Sequence, residues 1–493
     1  MALTAIGCAC ASLYVLSGRF DPPWEGKQIL NRAYLLTLGK RPYIDFEFPW
    51  GPAFLYPAKW LSESFPLSII QSYAIIWGLG SLVSVYLLYV AINWIDIPAR
   101  NRTTIFLLFS FVALLSVGNM GLNYTLLRYV CPLVFVLVVF RLLRRESEAG
   151  GRLAACASAI LFSAALFLIS PEVAISFVFA CVVLLWPAKQ APVRWLQWVS
   201  YLAVVTGFAL LVGLGYRFHL LDSLFLDGGG ANGIPIALGP ATLAYFAAVY
   251  VCACYLVQRF RRQGKPDNTI AIILFSIPMS AAALGRCDPG HILLNGMGLF
   301  LVVLLYASAS GRWWRLCRNL FIACPLGLYV LLALIATAIG MSTPKARDFS
   351  PNGDIATLYP TLAKNSIRQR FAIPFGYEPN ARGYFVSSQI DYGFFYGGAD
   401  ANTPQAIGRE MEELRNNPKS NLLLGPDFAK QCEVDQRHER VVVSALSGFP
   451  YLARVANPQS VREPLCGYIR AHYVLAEPAS DRNFEYGLWT PRR

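Results

Sequence analysis

Charged residues are scarce in this sequence, and acidic residues are fewer than basic ones. Asp, Glu, Lys and Arg make up 14% of the 493 residues, and hydrophobic residues make up 56%, whereas a soluble globular domain carries about 25% charged residues. This composition excludes an ordinary soluble domain and predicts a polytopic membrane protein. The net charge of +13 does not indicate a nucleic-acid partner, because Lys and Arg form short clusters between apolar runs and no basic face or stripe.

Histidine is also rare, with four residues in the chain, and the 12 cysteines show no metal-ligand spacing. We therefore expect neither a zinc-type centre nor a cofactor. Most of the cysteines lie inside apolar runs, where a thiol packs as a small hydrophobic group. Cys432 and Cys466 lie in the polar C-terminal part, where an oxidising compartment permits a disulfide. A bridge between them and two free thiols are both consistent with the sequence.

Apolar runs of the length of a membrane span dominate the first two thirds of the chain. A spanning helix needs about 20 mainly apolar residues, and about eleven runs meet this description loosely. They lie near residues 2–18, 67–94, 104–118, 125–143, 153–170, 173–187, 196–216, 240–258, 268–285, 292–310 and 320–340. For the first run, a secretory signal is the alternative, but the run lacks the basic segment that precedes such signals.

Basic clusters follow the even-numbered runs, for example Arg141, Arg144 and Arg145 after the fourth run. Because Lys and Arg beside short loops resist translocation, this pattern places the N-terminus in the cytoplasm. The loop at 18–66 and the whole C-terminal part then lie outside. We expect a multi-pass plasma (inner) membrane protein with a periplasmic or other extracytoplasmic C-terminal domain.

The predicted fold is an all-α polytopic membrane domain at 1–340, followed by a small α/β soluble external domain at 341–493. Near residue 341 charges, Asn and Pro replace the apolar runs, and the remaining length suits one domain. In this part Pro404 favours the start of a helix that continues to Leu414. Strands are predicted at 422–424, 441–443, 468–475 and 484–488.

The first external loop, at 18–66, concentrates acids among aromatic residues. Asp21, Glu25, Asp45 and Glu47 lie between Trp, Tyr, Phe and Pro. Carboxylates at a membrane surface are costly to desolvate, which favours a functional role over a solvated loop or a helix cap. Helical spacing predicts an amphipathic juxtamembrane helix on the outer leaflet that ends at Gly39, and a second such segment through Trp60. The apolar face of the first helix would hold Ile29, Leu30, Ala33, Tyr34 and Leu36, and its polar face Lys27, Arg32 and Lys40.

The same loop resembles a known family in its motifs. The residues that carry the resemblance are 21–26, then Leu-Gly-Lys-Arg-Pro-Tyr-Ile-Asp at 38–45, and then Gly51 and Pro52. They resemble the GT-C superfamily of polyprenyl-phosphate-sugar glycosyltransferases, with the layout of mannosyl-, aminoarabinosyl- and arabinosyltransferases. The resemblance implies an inverting glycosyltransferase with a polyprenyl-phosphate-linked sugar donor and a glycan, lipid or protein acceptor.

By position in that resemblance, Asp21 matches the catalytic base that takes the proton of the acceptor hydroxyl. A single base is enough, because the carrier phosphate leaves without an acid. Glu25 would share or orient the proton, or else cap the following helix. Asp45 and Glu47 would bind sugar or acceptor hydroxyls.

Three later loops supply the other candidates. In the polar segment 285–291, Arg286 would bind the carrier phosphate with help from His291 and Asp288, unless Arg286 and Asp288 only pair with each other. Arg128, in the first turn of an apolar run, is a second candidate, with snorkelling to lipid headgroups as its alternative. Glu172 after Pro171 is a third, with an ordinary helix N-terminus as its alternative.

Metal use and two rival functions stay open. Some members of the GT-C superfamily carry a D-x-D pair in a later external loop, whereas the second external loop here, at 118–125, contains no acid. This departure from the family pattern favours a metal-independent enzyme, although Asp21, Glu25 and Asp45 could gather around a divalent cation. The Gly-rich segment 228–233 could be a lid or a linker. A transporter or lipid flippase would share the many spans, as would a non-catalytic assembly protein for envelope glycans.

Overall fold

The structure is a computed structural model that describes residues 24–37, 39–44, 46, 48, 50–95, 102, 105–106, 126–144, 149–187, 194–218, 221, 236–237, 239–261, 267–286, 289–309, 371–372, 404–418, 421–424, 451–452, 458–481 and 484–492. The helices up to residue 309 are α1 (Trp24–Thr37), α2 (Tyr56–Ser64), α3 (Ile69–Trp94), α4 (Leu126–Arg144), α5 (Ala149–Ile169), α6 (Pro171–Leu184), α7 (Arg194–Arg217), α8 (Pro240–Arg261), α9 (Asn268–Arg286), α10 (Pro289–Asn295) and α11 (Met297–Ala309), with a short 3₁₀ turn at Pro52–Phe54. The remaining elements are β1 (Ile236–Ala237), β2 (Phe371–Ala372), α12 (Pro404–Asn416), β3 (Asn421–Leu424), β4 (Tyr451–Leu452), α13 (Pro458–His472), β5 (Tyr473–Asp481) and β6 (Phe484–Pro491).

Four of the described helices are long and apolar enough, by length and composition, to cross a membrane. They are Gln71–Trp94 in α3, Gly150–Ile169 in α5, Gln197–Arg217 in α7 and Ala241–Arg259 in α8. Helices α6 and α9 are shorter apolar helices. The predicted runs at 2–18 and 320–340, and most of the run at 104–118, lie outside the described residues, so the count of about eleven spans stays a prediction.

Helix α4 lies at the centre of the described bundle and packs against α3, α5, α6 and α9. Its residues Val130, Val136 and Leu137 are fully buried. A ring cluster joins three helices, because Phe135 stacks on Phe162 at 4.0 Å between ring centroids and both meet Phe177 edge-on at 6.5 Å. Between membrane helices such close packing, rather than exclusion of water, drives association. The middle of α4 therefore lies in the packed centre of the described bundle.

Glycine permits the closest helix approach in the second half of the bundle. A Cβ at Gly298 of α11 would lie 2.2 Å from Oγ of Ser276 in α9. The chain interrupts its helix just before, at Gly296, where a Cβ would lie 2.5 Å from the Ile292 carbonyl oxygen. The run predicted as one span at 292–310 is thus divided between α10 and α11.

Polar contacts join the ends of neighbouring helices: α3 with α4 and α9, and α5 with α6. Arg141 of α4 lies over the ring of Trp94, 4.6 Å from its centroid, and Asn268 at the start of α9 donates to the Trp94 carbonyl at 2.7 Å. Arg152 of α5 donates to the carbonyl of Leu185 at 2.6 Å, which satisfies an acceptor at the end of α6. These basic helix ends match the predicted cytoplasmic clusters, and the orientation in a membrane stays a prediction.

The two juxtamembrane helices are α1 and α2, and they pack on each other and on α3. Ile29, Leu30, Ala33 and Leu36 are buried as predicted for the apolar face. The predicted polar face is wrong at Arg32, which is only 4% exposed. In a helix, positions 29, 32, 33 and 36 share one side, so Arg32 belongs to the face that α2 and α3 cover.

The described C-terminal elements form a four-stranded sheet in the order β2-β3-β6-β5, with β2 and β3 parallel and the other pairs antiparallel. Helices α12 and α13 pack on each other. The predicted helix from Pro404 and the strands at 422–424 and 484–488 are confirmed, and 441–443 lies outside the described residues. A separate antiparallel pair, β1 with β4, joins this part to the loop between α7 and α8.

The predicted strand at 468–475 is wrong in its first part, because α13 continues to His472 and β5 begins only at Tyr473. Leu465, Cys466 and Ile469 are buried, and their helical spacing was the signal for α13. Cys466 is disulfide-bonded. The described cysteines Cys131, Cys156, Cys181, Cys252 and Cys254 form no disulfide, so the partner of Cys466 lies outside the described residues. Cys432, the partner in one of the two states that the sequence left open, lies there, as does the domain boundary near 341.

Candidate functional site

A buried guanidinium lies in the first turn of α4. Arg128 forms a salt bridge with Glu172 of α6, and its side chain is only 7% exposed. Its Nε donates to Oγ of Ser170 at 3.0 Å and its Nη1 to the hydroxyl of Tyr129 at 3.3 Å. The guanidinium also lies over the Tyr129 ring, 5.3 Å from the centroid. Since an unpaired charge in such a place is costly, these contacts explain how the cation is tolerated.

The partners of Arg128 come from the tight turn between α5 and α6. Ser170 is the N-cap of α6 and Pro171 its first residue, but the Ser170 side chain does not cap its own helix. Its hydroxyl accepts from Arg128 instead. Glu172 lies in the first turn of α6, where the positive end of the helix dipole also favours a carboxylate. The turn thus presents a hydroxyl and a carboxylate to one guanidinium.

The first loop folds back on itself through Tyr43. Tyr43 has φ +68°, a left-handed backbone that costs a non-Gly residue about 1–2 kcal/mol. Its N–H donates to the Phe46 carbonyl at 2.8 Å, and its hydroxyl donates to the Trp50 carbonyl at 2.6 Å. Burial raises the pKa of the Tyr43 phenol well above its ordinary value, with a further contribution from Tyr56. The hydroxyl therefore remains a hydrogen-bond donor at physiological pH.

The loop docks on the α5–α6 turn through Gly51. Its N–H donates to the Ile169 carbonyl at 2.9 Å. A Cβ at Gly51 would lie 2.2 Å from the carbonyl oxygen of Leu168, a distance that no side chain can occupy. Only glycine allows this approach. The loop thus docks backbone on backbone at Ile169, one residue before Ser170 and three before Glu172.

These contacts bring three separate parts of the chain to one place: the first loop, the α5–α6 turn and the start of α4. Guanidinium groups bind phosphate and carboxylate oxygens in a bidentate manner, and they do so best where water is excluded. In the structure the anionic group bound in this way is the Glu172 carboxylate, beside the loop whose sequence carries Asp45 and Glu47.

Of the residues proposed from the sequence, the structure brings Arg128 and Glu172 together. The alternatives were snorkelling for Arg128 and an ordinary helix N-terminus for Glu172, and neither describes its residue fully. Arg128 is buried and paired, so it does not snorkel to headgroups. Glu172 does lie in a helix first turn, but it also neutralises Arg128. From the sequence, Arg128 and Glu172 were two separate candidates for substrate binding, with no predicted contact between them.

The other candidates are not tested by side-chain geometry. Asp21, Asp45, Glu47 and Asp288 lie outside the described residues. Glu25 is the second residue of α1 and Arg286 the last residue of α9, and their side chains are not described. His291 is half-buried on α10, where its carbonyl accepts from Nδ2 of Asn295 at 3.0 Å. The predicted polar hairpin at 285–291 is mostly helical, because α9 extends to Arg286 and α10 begins at Pro289.

Sequence reasoning missed the roles of Ser170, Tyr43 and Gly51. A serine directly before a proline at a helix start suggests only an N-cap, so nothing local pointed to Arg128 as its partner. Tyr43 and Gly51 were part of the quoted motif, but their contacts depend on how the loop folds. Among the described residues, no group of three or more His, Cys, Asp or Glu side chains is placed to hold a metal ion.

No protein-family model and no curated protein matches this chain. Among solved structures, the chain matches the crystal structure of ArnT from Cupriavidus metallidurans bound to undecaprenyl phosphate. The two share 13% sequence identity, the match covers 93% of this chain and 98% of that one, and the TM-score is 0.45. A TM-score at this level is too low to establish a shared fold, so the likeness carries no argument for fold or function.

Proposed function

We propose that this protein is an inverting glycosyltransferase that moves a sugar from a polyprenyl-phosphate carrier to an envelope acceptor. The observation that supports it best is the buried Arg128, held by Glu172 and Ser170 beside a first loop with the motif of polyprenyl-phosphate-sugar transferases. A cation kept at a helix start in an apolar bundle suits the binding of an anionic group. The carrier phosphate is such a group.

In the proposed reaction, Asp21 accepts the proton of the acceptor hydroxyl while that oxygen attacks the anomeric carbon. The bond between the anomeric carbon and the carrier phosphate oxygen breaks, and the phosphate leaves with the electron pair. Arg128, with Arg286 as a second cation, stabilises the charge on the leaving phosphate. One displacement inverts the anomeric centre, and no second carboxylate is required.

Glu172 has a defined part in this proposal. It neutralises Arg128 before the carrier binds, which lowers the cost of keeping the guanidinium out of water. Glu25, Asp45 and Glu47 would bind hydroxyl groups of the sugar or the acceptor, and His291 and Asp288 would support Arg286. The lipid tail of the carrier would lie against the apolar helices, with membrane lipids as neighbours.

The experiment that tests the proposal is sugar transfer by the purified protein in nanodiscs, with a panel of polyprenyl-phosphate sugars and envelope acceptors. Changing Asp21→Asn should reduce the rate by about 10²–10⁴-fold, the usual contribution of a general base. The matched control is Glu63→Gln, because Glu63 is an exposed acid of the same loop region that pairs with Lys59 at 2.9 Å. Full transfer by Asp21→Asn, or no transfer by the parent protein with any donor, would contradict the proposal.

The transporter alternative draws on one described feature, the helix break at Gly296. Asn295 beside it is buried, and its Oδ1 has no hydrogen-bond partner among the described residues. The break is only one residue long, however, and backbone bonds continue through it, from Gly296 to Ile292 at 2.9 Å and from Phe300 to Gly296 at 3.1 Å. An unwound helix that exposes carbonyls to a substrate ion would lose these bonds. Movement of a labelled lipid across proteoliposomes without an acceptor would favour this alternative.

A further inference from the structure

Among the described residues of the first loop, two have a left-handed backbone, and their environments differ. Gly39 has φ +78°, and a Cβ there would meet nothing within 4 Å. Tyr43 has φ +68° and is buried. A turn that needs only this backbone conformation is normally formed by glycine, as at Gly39. A large aromatic side chain at position 43 therefore calls for a role of the side chain itself.

The hydroxyl of Tyr43 spans the turn. It donates to the carbonyl of Trp50, seven residues further on, at 2.6 Å. The Tyr43 ring lies 6.3 Å from the ring of Phe48, which in turn meets Trp50 edge-on at 5.4 Å. The hydroxyl hydrogen bond thus joins Tyr43 to Trp50, and the rings of Tyr43, Phe48 and Trp50 pack next to one another.

Trp50, whose carbonyl accepts this hydrogen bond, directly precedes Gly51, the residue that docks on the α5–α6 turn. Gly51 follows Trp50 and donates to the Ile169 carbonyl at 2.9 Å. Ile169 precedes Ser170, whose hydroxyl accepts from Arg128. Three hydrogen bonds, connected by the covalent links Trp50–Gly51 and Ile169–Ser170, therefore lie between Tyr43 and the buried guanidinium.

We infer that Tyr43 is a positioning residue, whose hydroxyl holds the two described ends of the segment 43–51 together, next to the α5–α6 turn that carries Glu172. The inference rests on the proposed glycosyl transfer, because that segment carries Asp45 and Glu47 in the sequence. The Tyr43 hydroxyl is engaged by the Trp50 carbonyl, so the role assigned to it is positioning and not contact with a reacting atom. It sets the distance between the loop and the carrier phosphate, and small errors in such distances reduce turnover more than binding.

The test compares Tyr43→Phe with Tyr56→Phe, a matched loss of one hydroxyl in the same region. In nanodiscs, Tyr43→Phe should lower kcat about five- to tenfold at an unchanged KM for the donor. The kcat values are normalised to the folded fraction of each variant. A tenfold loss of kcat corresponds to about 1.4 kcal/mol in activation free energy. Tyr43→Gly should lose at least as much, because it accepts the left-handed backbone but lacks the hydroxyl. Tyr56→Phe should keep the kcat of the parent.

A second readout does not need activity. Amide hydrogen exchange of the peptide covering 43–51 should become faster in Tyr43→Phe and stay unchanged in Tyr56→Phe, since the bond to Trp50 is lost only in the first variant. An unchanged exchange rate, an unchanged kcat, a rise in KM in place of the fall in kcat, or a fully active Tyr43→Gly overturns the inference. If the parent transfers sugar, such a result leaves the proposed function standing, whereas an inactive parent refutes the function itself.

Discussion

The pairing of Arg128 with Glu172 makes a quantitative prediction. Changing Glu172→Gln keeps the shape of the side chain but leaves the Arg128 guanidinium, 7% exposed, beside a neutral amide. Removing one partner of a fully buried ion pair costs about 3–5 kcal/mol. A quarter of the Glu172 side chain is exposed, at 25%, so water screens this pair in part. We therefore expect a loss of about 1–3 kcal/mol in the free energy of unfolding.

The alternative is that Glu172 acts only on the helix dipole of α6. In that case its replacement costs about 0.3–1 kcal/mol, and the cost does not depend on what residue 128 is. A double-mutant cycle with Arg128→Met, Glu172→Gln and the double variant separates the two roles. The ion pair predicts a coupling energy of about 1–3 kcal/mol, and the dipole alone predicts a value near zero.

The assay is reversible unfolding in mixed micelles, followed by tryptophan fluorescence. The matched control is the same cycle on Lys59 and Glu63, an exposed pair four residues apart in α2, where the coupling should be at most about 0.5 kcal/mol. A coupling of Arg128 with Glu172 no larger than that of the control pair would refute the reasoning and leave Glu172 as an ordinary helix-start acid.

Two further variants test other parts of the structure. Gly51→Ala should displace the first loop from the Leu168 carbonyl and lower both the melting temperature and sugar transfer. The control is Gly408→Ala on α12, where a Cβ has open space and the change should be neutral or stabilising. Equal behaviour of the two variants would contradict the docking. Burial and Tyr468 raise the pKa of Tyr473 to about 12, so its contribution to stability is complete below the ordinary pKa of about 10 and is lost as the pH rises from there towards 12. The Tyr473 hydroxyl has no hydrogen-bond partner among the described residues, so Tyr473→Phe should be neutral or stabilising at pH 7. The variant should also lose less melting temperature than the parent as the pH rises above about 10. An unchanged dependence of melting temperature on alkaline pH would be evidence against this account.

Periodicity predicted the helices well, because a helix in lipid must satisfy its backbone groups within its own segment. The boundaries of α3 and α5, and the juxtamembrane helix α2, follow from local runs of apolar residues. The prediction was wrong where two patterns compete. The predicted strand 468–475 contains Tyr468, Ile469, Tyr473 and Val474, which favour a strand. The buried spacing of Leu465 and Ile469 nevertheless continues the helix α13.

Polar residues on apolar helices were harder to predict. Arg32 belongs by periodicity to both a polar and an apolar face, and only the packing of α1 on α2 and α3 decides that it is buried. Glu172 had two local explanations of similar weight. The sequence offers no local signal for a partner on another helix, since the two positions are brought together by the packing of α4 against α6.

The sequence alone determined that this protein has many apolar helices, an acid-rich first loop and a polar C-terminal part with strands and helices. Each of these depends on composition and short-range spacing. The tertiary structure decided that Arg128 meets Ser170, 42 positions away, and that Gly51 docks one residue before that serine. The physical reason is that a buried cation and a buried backbone group must be paired, but the choice of partner depends on which helices and loops lie side by side.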